Sequence, residues 1–292
     1  MKASDNCDIR ITSADIVSRL FPKRNENANK GSVGAGMLAA GSYRMPGAAA
    51  IACAGAVNSG IGLLTLTFPD AAYNAVTAHL TEPVLFPVKS DINGFFSADA
   101  ADDILSRAGK NAAAAVGPGI GTGDGSRELT RALVTGYDKP LLLDADALNI
   151  IATNPDILLK RTGATGITPH PGEMSRLTGL SIPEIQADRE KTALSFAVKY
   201  GVTVLLKGHD TVIACPDGEV FINPTGCPAM ARGGCGDLLT GMALSFLAQG
   251  LTMKNALVAA AFLHGKAGQR AAEKYGEYCA TVSRIAEEIR IG

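Results

Sequence analysis

Val202-Thr203-Val204-Leu205-Leu206-Lys207-Gly208-His209-Asp210-Thr211-Val212-Ile213-Ala214-Cys215-Pro216-Asp217-Gly218-Glu219-Val220-Phe221-Ile222-Asn223 decides the reading of the fold. It holds three short apolar runs rich in β-branched residues, Val202 to Lys207, Thr211 to Cys215 and Val220 to Asn223. The last two, joined by Pro216-Asp217-Gly218-Glu219, predict a hairpin with a type I or bulged turn. The first is as apolar as a strand covered on both faces, which is the habit of parallel sheets. Upstream, Leu63 to Thr67, Val84 to Val88, Ala112 to Val116 and Leu141 to Asp144 read as further strands. Longer helical patterns alternate with them: Ala14 to Phe21, Gly47 to Ser59, Asp99 to Ala108, Ser126 to Gly136, Pro183 to Tyr200, Gly236 to Ala248, Asn255 to Lys274, and a last one from Ser283. Such alternation predicts βαβ crossovers and an α/β fold, with a mainly parallel central sheet, helices on both faces and a late antiparallel hairpin at its edge. The helix at Pro183 carries Pro in its first turn and Ser181 as its cap.

Composition narrows the function. With 292 residues, 47% apolar and 19% charged, the chain can bury a large core, and no Pro/Ser-rich linker divides it, so a single domain over 1–292 is expected. The balance of 27 basic against 28 acidic residues offers no footprint for nucleic acid or an anionic membrane, and favours a small-molecule partner. Met1 to Arg10 lacks the apolar segment of a signal peptide, and the nearly apolar run Gly47 to Leu66 is interrupted by Asn58, Ser59, Gly60 and Gly62, so a cytoplasmic location is expected. Cys7, Cys53, Cys215, Cys227, Cys235 and Cys279 show neither a CxxC pair nor zinc spacing, and reduced, inert thiols are expected.

In open parallel sheets ligands sit beyond the carboxyl ends of the strands, so the residues following each strand carry the search for chemistry. Gly233-Gly234-Cys235-Gly236-Asp237 precedes the apolar run Leu238 to Ala248. Successive glycines let main-chain N–H groups converge, and a helix start adds its positive end, making a site for phosphate oxygens. Asp237 is placed to take a proton from a hydroxyl near that phosphate; an Asp merely favoured by the helix dipole fits the same residues. Lys207-Gly208-His209-Asp210-Thr211 could reach a nucleotide or be a solvated turn. Thr168-Pro169-His170-Pro171-Gly172-Glu173 reads as a rigid loop presenting an imidazole in a fixed direction, in preference to one that merely packs. Gly117-Pro118-Gly119-Ile120-Gly121 permits close approach of a ligand to backbone. Asp144-Ala145-Asp146 could position magnesium through water or orient a loop, with capping by Asp146 an equal account. Neither Lys30-Gly31-Ser32-Val33-Gly34 nor Gly119 to Gly123 meets the spacing of a P-loop or a dinucleotide fingerprint.

Taken in order, Lys30-Gly31 with Gly34, Gly41-Ser42 to Gly47-Ala48-Ala49, Ser59-Gly60 with Gly62, the GPGIG loop, Leu143 to Leu148, Thr168 to Glu173, Leu206-Lys207-Gly208, and Asn223-Pro224-Thr225-Gly226 leading into GGCGD resemble the ADP-dependent NAD(P)H-hydrate dehydratases. The resemblance covers nearly the whole chain. It implies a ribokinase-like fold and a hydro-lyase that returns the S-epimer of NADHX or NADPHX to NADH or NADPH, with ADP as phosphate donor, magnesium, and release of AMP and phosphate. It places nucleotide at Lys207, Gly208, His209, Asp210 and Thr211 and at Cys227, Pro228, Ala229, Met230, Ala231, Arg232, Gly233, Gly234, Cys235 and Gly236. The hydrated nicotinamide falls to Ala49, Gly119, Gly121, His170, Pro171, Gly172, Glu173, Met174, Ser175 and Arg176, with Asp237 as both substrate contact and catalytic base. It gives no metal ligands. Cys235 stands where the family usually has threonine or a similar small residue, and Arg232 adds a positive charge beside the glycines. A homotetramer is implied, together with an epimerase carried by a separate protein. The rival reading is a small-molecule kinase of the same fold, such as a hydroxyethylthiazole or sugar kinase; a nucleotide-sensing protein without chemistry is a further alternative.

Overall fold

The computed structural model describes residues 9–21 and 24–291. Its strands are β1 (Ile9–Ile11), β2 (Ala35–Ala39), β3 (Leu63–Pro69), β4 (Val84–Val88), β5 (Ala113–Val116), β6 (Leu141–Leu143), β7 (Thr165–Ile167), β8 (Thr203–Leu206), β9 (Thr211–Ala214) and β10 (Val220–Asn223). They form one sheet in the order β1-β10-β9-β8-β7-β6-β5-β2-β3-β4. Every pairing is parallel except those of β9, which runs against both β8 and β10. The hairpin turn closes with Cys215 N–H donating to Glu219 O and Gly218 N–H to Cys215 O, and Gly218 takes the left-handed φ of 100° that a bulged turn demands. The hairpin is not the sheet edge: β1, too short and polar-flanked to be read from sequence, pairs in parallel with β10 and covers it.

Alternation of side chains divides the sheet between two cores. Leu38, Leu66, Ala113, Ala115, Leu142 and Leu205 face a layer holding the helices Pro46–Asn58, Cys235–Ala248 and Met253–Tyr275. Met37, Ala39, Val116, Leu143, Val204 and Leu206 face the helices Ala101–Ala108, Asp124–Gly136, Ala145–Ile151, Pro171–Thr178 and Arg189–Tyr200. The small-residue helix Pro46–Asn58 packs inside the molecule, against Cys235–Ala248. A Cβ on Gly241 would lie 1.8 Å from Ala52 O, and one on Gly55 would lie 2.2 Å from Leu238 O. Only glycine at these crossings lets the two backbones meet. Among the described residues no helix is long and apolar enough to cross a membrane.

The expected helix from Pro183 to Tyr200 is two helices, Ile182–Ala187 and Arg189–Tyr200. Asp188 breaks it: with φ −152° and ψ 76° it leaves the helical region, and its carboxylate accepts from Lys191 N–H to cap the second helix. An Asp that caps can also sit unnoticed inside a helical pattern. Ser181 caps the first helix as expected, in a reciprocal box with Glu184.

Strand order reverses between β5 and β2, each followed by chain that departs in opposite directions along the sheet. The crevice beyond such a reversal is where open sheets bind ligands. Here the two loops that leave it are tied together, Gly41 N–H donating to Pro118 O at 2.7 Å.

Candidate functional site

The loops following β5, β6, β7 and β8 converge with the start of the helix Cys235–Ala248 on a single buried charge cluster. At its centre is Lys207. Its ammonium lies 2.9 Å from Asp144 Oδ1 and 3.6 Å from Glu173 Oε2. Asp144 is 1% exposed and its second oxygen accepts from the Thr240 hydroxyl at 2.6 Å. The pairing follows from register: Leu143 of β6 pairs with Ile167 of β7, and Lys207 N–H donates to Pro169 O, so residues just past each strand end lie level. Burial alone would lower Lys207, but Asp144, Glu173 and Asp237 outweigh it and hold the ammonium above its ordinary range.

Asp237 stands in the first turn of the helix Cys235–Ala248, which Gly234 opens in the left-handed region at φ 93° and which no side chain caps. Its first N–H groups therefore face outward. A Cβ on Gly236 would sit 3.4 Å from Lys207 Nζ and 4.0 Å from Asp144 Oδ2, so the open helix end, the ammonium and the Asp144 carboxylate share one space, and Asp237 lies close enough to feel both charges. Burial pushes the Asp237 carboxyl up to about 7; Asp144, Asp146 and Glu173 push the same way, against Lys207. A carboxyl half-ionised near neutrality is what a general base requires.

The GPGIG loop forms the neighbouring wall. Gly119 and Gly121 take φ of 66° and 71°, Ser126 Oγ donates to Ile120 O at 2.6 Å, and Gly121 N–H donates to Asp146 Oδ2 at 2.8 Å. Asp146 thus orients this loop, and Asp144, not Asp146, occupies the cap position of the helix Ala145–Ile151. Met45, Ala48 and Phe95 close on Gly119 and Gly121. Ala49, expected beside the substrate, is fully buried with its methyl against Gly41.

Thr168 to Glu173 is not the rigid loop expected. His170 is the cap of the helix Pro171–Thr178: Nδ1 accepts from Gly172 N–H at 3.0 Å and Glu173 N–H at 3.2 Å, while Glu173 accepts in return from His170 N–H at 2.8 Å. Proline at the first helical position costs no hydrogen bond, which is why the second proline starts a helix. The imidazole is half exposed with Nε2 3.4 Å from Glu173 Oε1. Of the remaining residues in this segment, Met174 is core, Ser175 donates to Leu180 O and Arg176 reaches Asn149 Oδ1.

In the turn after β8, Gly208 and Asp210 take positive φ of 155° and 50°, and His209 is almost wholly exposed. Arg189 lies behind it, donating to Leu206 O at 2.8 Å and to Gln186 Oε1. Sequence gave no sign of this, because Arg189 follows the unforeseen helix break. Ala229 is buried, Met230 packs on Gly268, and Arg232 donates to Ala229 O and towards the carbonyls of Glu277 and Tyr278, so its guanidinium holds the Cys227–Gly236 loop in place. Burial raises the Cys235 thiol to about 11 and Cys215 to about 12, so both are inert, and the cysteines among the described residues are unpaired. Cys7 lies outside the described residues.

Among the described residues no group of three His, Cys, Asp or Glu is arranged to hold a metal. Asp144 has both oxygens engaged, and Asp146 one of them.

A model of the NAD(P)H-hydrate dehydratase family matches residues 37–290. The chain belongs to the NAD(P)H-hydrate dehydratase family. An ADP-dependent (S)-NAD(P)H-hydrate dehydratase of Bacillus subtilis is 36% identical over 260 residues, 88% of each chain. A crystal structure of the ADP/ATP-dependent NAD(P)H-hydrate dehydratase of that organism, co-crystallised with ATP/Mg2+, superposes with a TM-score of 0.83 at 31% identity over 97% of both chains. The bifunctional NAD(P)H-hydrate repair enzyme Nnr of Moorella thermoacetica is 36% identical over 275 residues, and this chain spans about half its length, 52%. A ribokinase-like superfamily protein of Enterococcus faecalis shares the fold at TM-score 0.84 and 23% identity. The fold of this family member is ribokinase-like.

Proposed function

We propose that this dehydratase-family chain, acting as one domain, uses ADP to dehydrate the S-epimer of NADHX or NADPHX to NADH or NADPH, releasing AMP and phosphate. The observation that carries the reading is the meeting of Asp237, its carboxyl near 7, with the uncapped helix start and the Lys207 ammonium beside the GPGIG loop. ADP lies along Lys207 to Thr211 and Cys227 to Gly236, its terminal phosphoryl group on the N–H groups at Gly233 to Gly236. The hydrated ring lies between Gly119, Gly121 and the His170–Arg176 helix start, reaching the first turn that contains Ala49.

Asp237 accepts the proton of the ring hydroxyl, whose oxygen bonds to the terminal phosphorus as the bond to AMP breaks. Phosphate then leaves the ring carbon with its electron pair, and loss of an adjacent ring proton restores the double bond. Positioning and charge stabilisation supply most of such a transfer.

The cluster of Asp144, Asp146, Glu173 and Asp237 carries more negative charge than Lys207 balances, so it favours a nucleotide that arrives with its own magnesium. The engaged oxygens of Asp144 and Asp146 fit an ion carried mainly on nucleotide phosphates, which it would neutralise. The bifunctional repair enzymes among its relatives support an NAD(P)HX epimerase as its working partner, and a cytoplasmic homotetramer belongs to the same proposal. Incubation with NADHX and ADP, followed by absorbance of the reduced ring, tests the reading; a stable phosphorylated alcohol formed from ATP would instead establish the kinase.

A further inference from the structure

We propose that His264 is a binding residue of the donor-nucleotide site, forming a hydrogen bond to the nucleoside part of ADP. The assignment rests on the proposed function above.

His264 lies within the helix Met253–Tyr275, among the buried apolar residues Ala260, Ala261, Phe262, Leu263 and Ala267. It is 6% exposed, and its Nε2 has no hydrogen-bond partner. A leucine or methionine would fill this place without an unmet polar atom. Burying an imidazole nitrogen with nothing to bond is unfavourable, and such an orphan points to a group supplied from outside the chain.

The surroundings say which group. The next residue, Gly265, has no room for a side chain because Thr225 and Gly226 press on it, with Thr225 Oγ1 donating to Phe262 O at 2.9 Å. One turn on and on the same face as His264, Gly268 abuts Met230, and Gln269 donates to Gly226 O at 3.2 Å. This stretch of helix is therefore the floor under residues 225–232. Lys207 lies near enough that its charge, after burial, helps depress the imidazole to about 4. His264 thus adjoins both segments assigned above to the nucleotide, as a neutral group offering one donor and one acceptor. Phosphate oxygens are served by Lys207 and the helix start, whereas a neutral nitrogen suits a ribose hydroxyl or a base edge.

The test is calorimetric titration of ADP and, separately, of inorganic pyrophosphate into the wild type, His264→Leu and His264→Gln. The expected result is ADP affinity about tenfold weaker in His264→Leu, recovered to within about threefold in His264→Gln, with pyrophosphate affinity alike in all three. The KM for the hydrated dinucleotide should be unchanged in both variants. Wild-type ADP affinity in a folded His264→Leu would overturn the assignment and leave His264 as a core residue. Should His264→Leu not fold, nitrogen NMR of the wild type decides: ADP but not pyrophosphate shifts the His264 Nε2 resonance, and an unmoved resonance overturns the proposal. A wild type that binds no ADP would overturn the proposed function itself, a result distinct from either.

Discussion

Asp144→Asn keeps the shape of the side chain and an oxygen for Thr240, and replaces the charged acceptor that pairs with Lys207 at 2.9 Å by an uncharged amide NH2. Breaking a buried pair by removing one partner typically costs about 3–5 kcal/mol. Lys207 is one-fifth exposed and keeps Glu173 at 3.6 Å, which places the cost at the low end, about 3 kcal/mol. Unfolding entropy of roughly 2.1 cal/mol/K per residue gives about 0.6 kcal/mol/K for this chain, so the midpoint of thermal unfolding should fall by about 5 °C. The same substitution acts on the chemistry with a definite sign. Asp144 is, after burial, the largest influence raising Asp237, and without it Lys207 is also freer to pair there. The Asp237 carboxyl should therefore ionise at lower pH, and the acid limb of kcat/KM should move down from about 7. Thermal unfolding and a pH–rate profile on the one variant read both effects. An unmoved or upward-moving acid limb in a variant that folds would refute the claim that these groups share one electrostatic cluster.

In the wild type, kcat/KM should rise with pH through a single ionisation near 7, because Asp237 acts as its ionised form and burial has raised it; a flat profile from pH 5 to 8 would exclude it as the base. Since the folded state holds that proton more tightly than the unfolded chain, its contribution to stability is full below about 4 and is lost as pH rises through 7. Asp237→Asn should therefore unfold at higher temperature than the wild type at pH 8, by about 1–2 kcal/mol of stability, and show little difference at pH 4. Gly241→Ala places a methyl 1.8 Å from Ala52 O, and pushing the two helices apart should cost about 3 kcal/mol or more, read as a lowered unfolding midpoint with the protein less soluble on expression.

The regular part of the fold was legible because its strands are continuous apolar runs and its helices are long. What escaped was the central strand β2, whose Ala35-Gly36-Met37-Leu38-Ala39 lacks β-branched and aromatic residues, and elements that were short or conditional. β1 has three exposed residues and exists only because β10 offers an edge. Asp188 breaks a helix by capping, which composition does not distinguish from a surface Asp. The same limit applied to the site. Lys207, Asp144, Gly236 and Asp237 were readable as residues following strands or opening a helix, and the sheet's register brings them together. Pro171 between His170 and Gly172 suggests a stiffened loop, whereas proline at a first helical position and Glu173 three residues after His170 together spell a helix start. Arg189, Thr240 and His264 lie within helices, far in sequence from any strand end, and only the packing of those helices on the turn after β8, on Asp144 and on the 225–232 segment gives them meaning.

The central claim is that Asp237 removes a proton from a hydroxyl held against an ADP phosphoryl group. It is tested most directly by parallel assays of the wild type and Asp237→Asn with ADP and NADHX, following reduced-ring absorbance, AMP and phosphate, with ADP binding measured on both. The account predicts equal amounts of NADH, AMP and phosphate from the wild type, and from Asp237→Asn intact ADP binding with turnover reduced by at least about a hundredfold. Comparable turnover by Asp237→Asn, or NADH formed without cleavage of ADP, would contradict it.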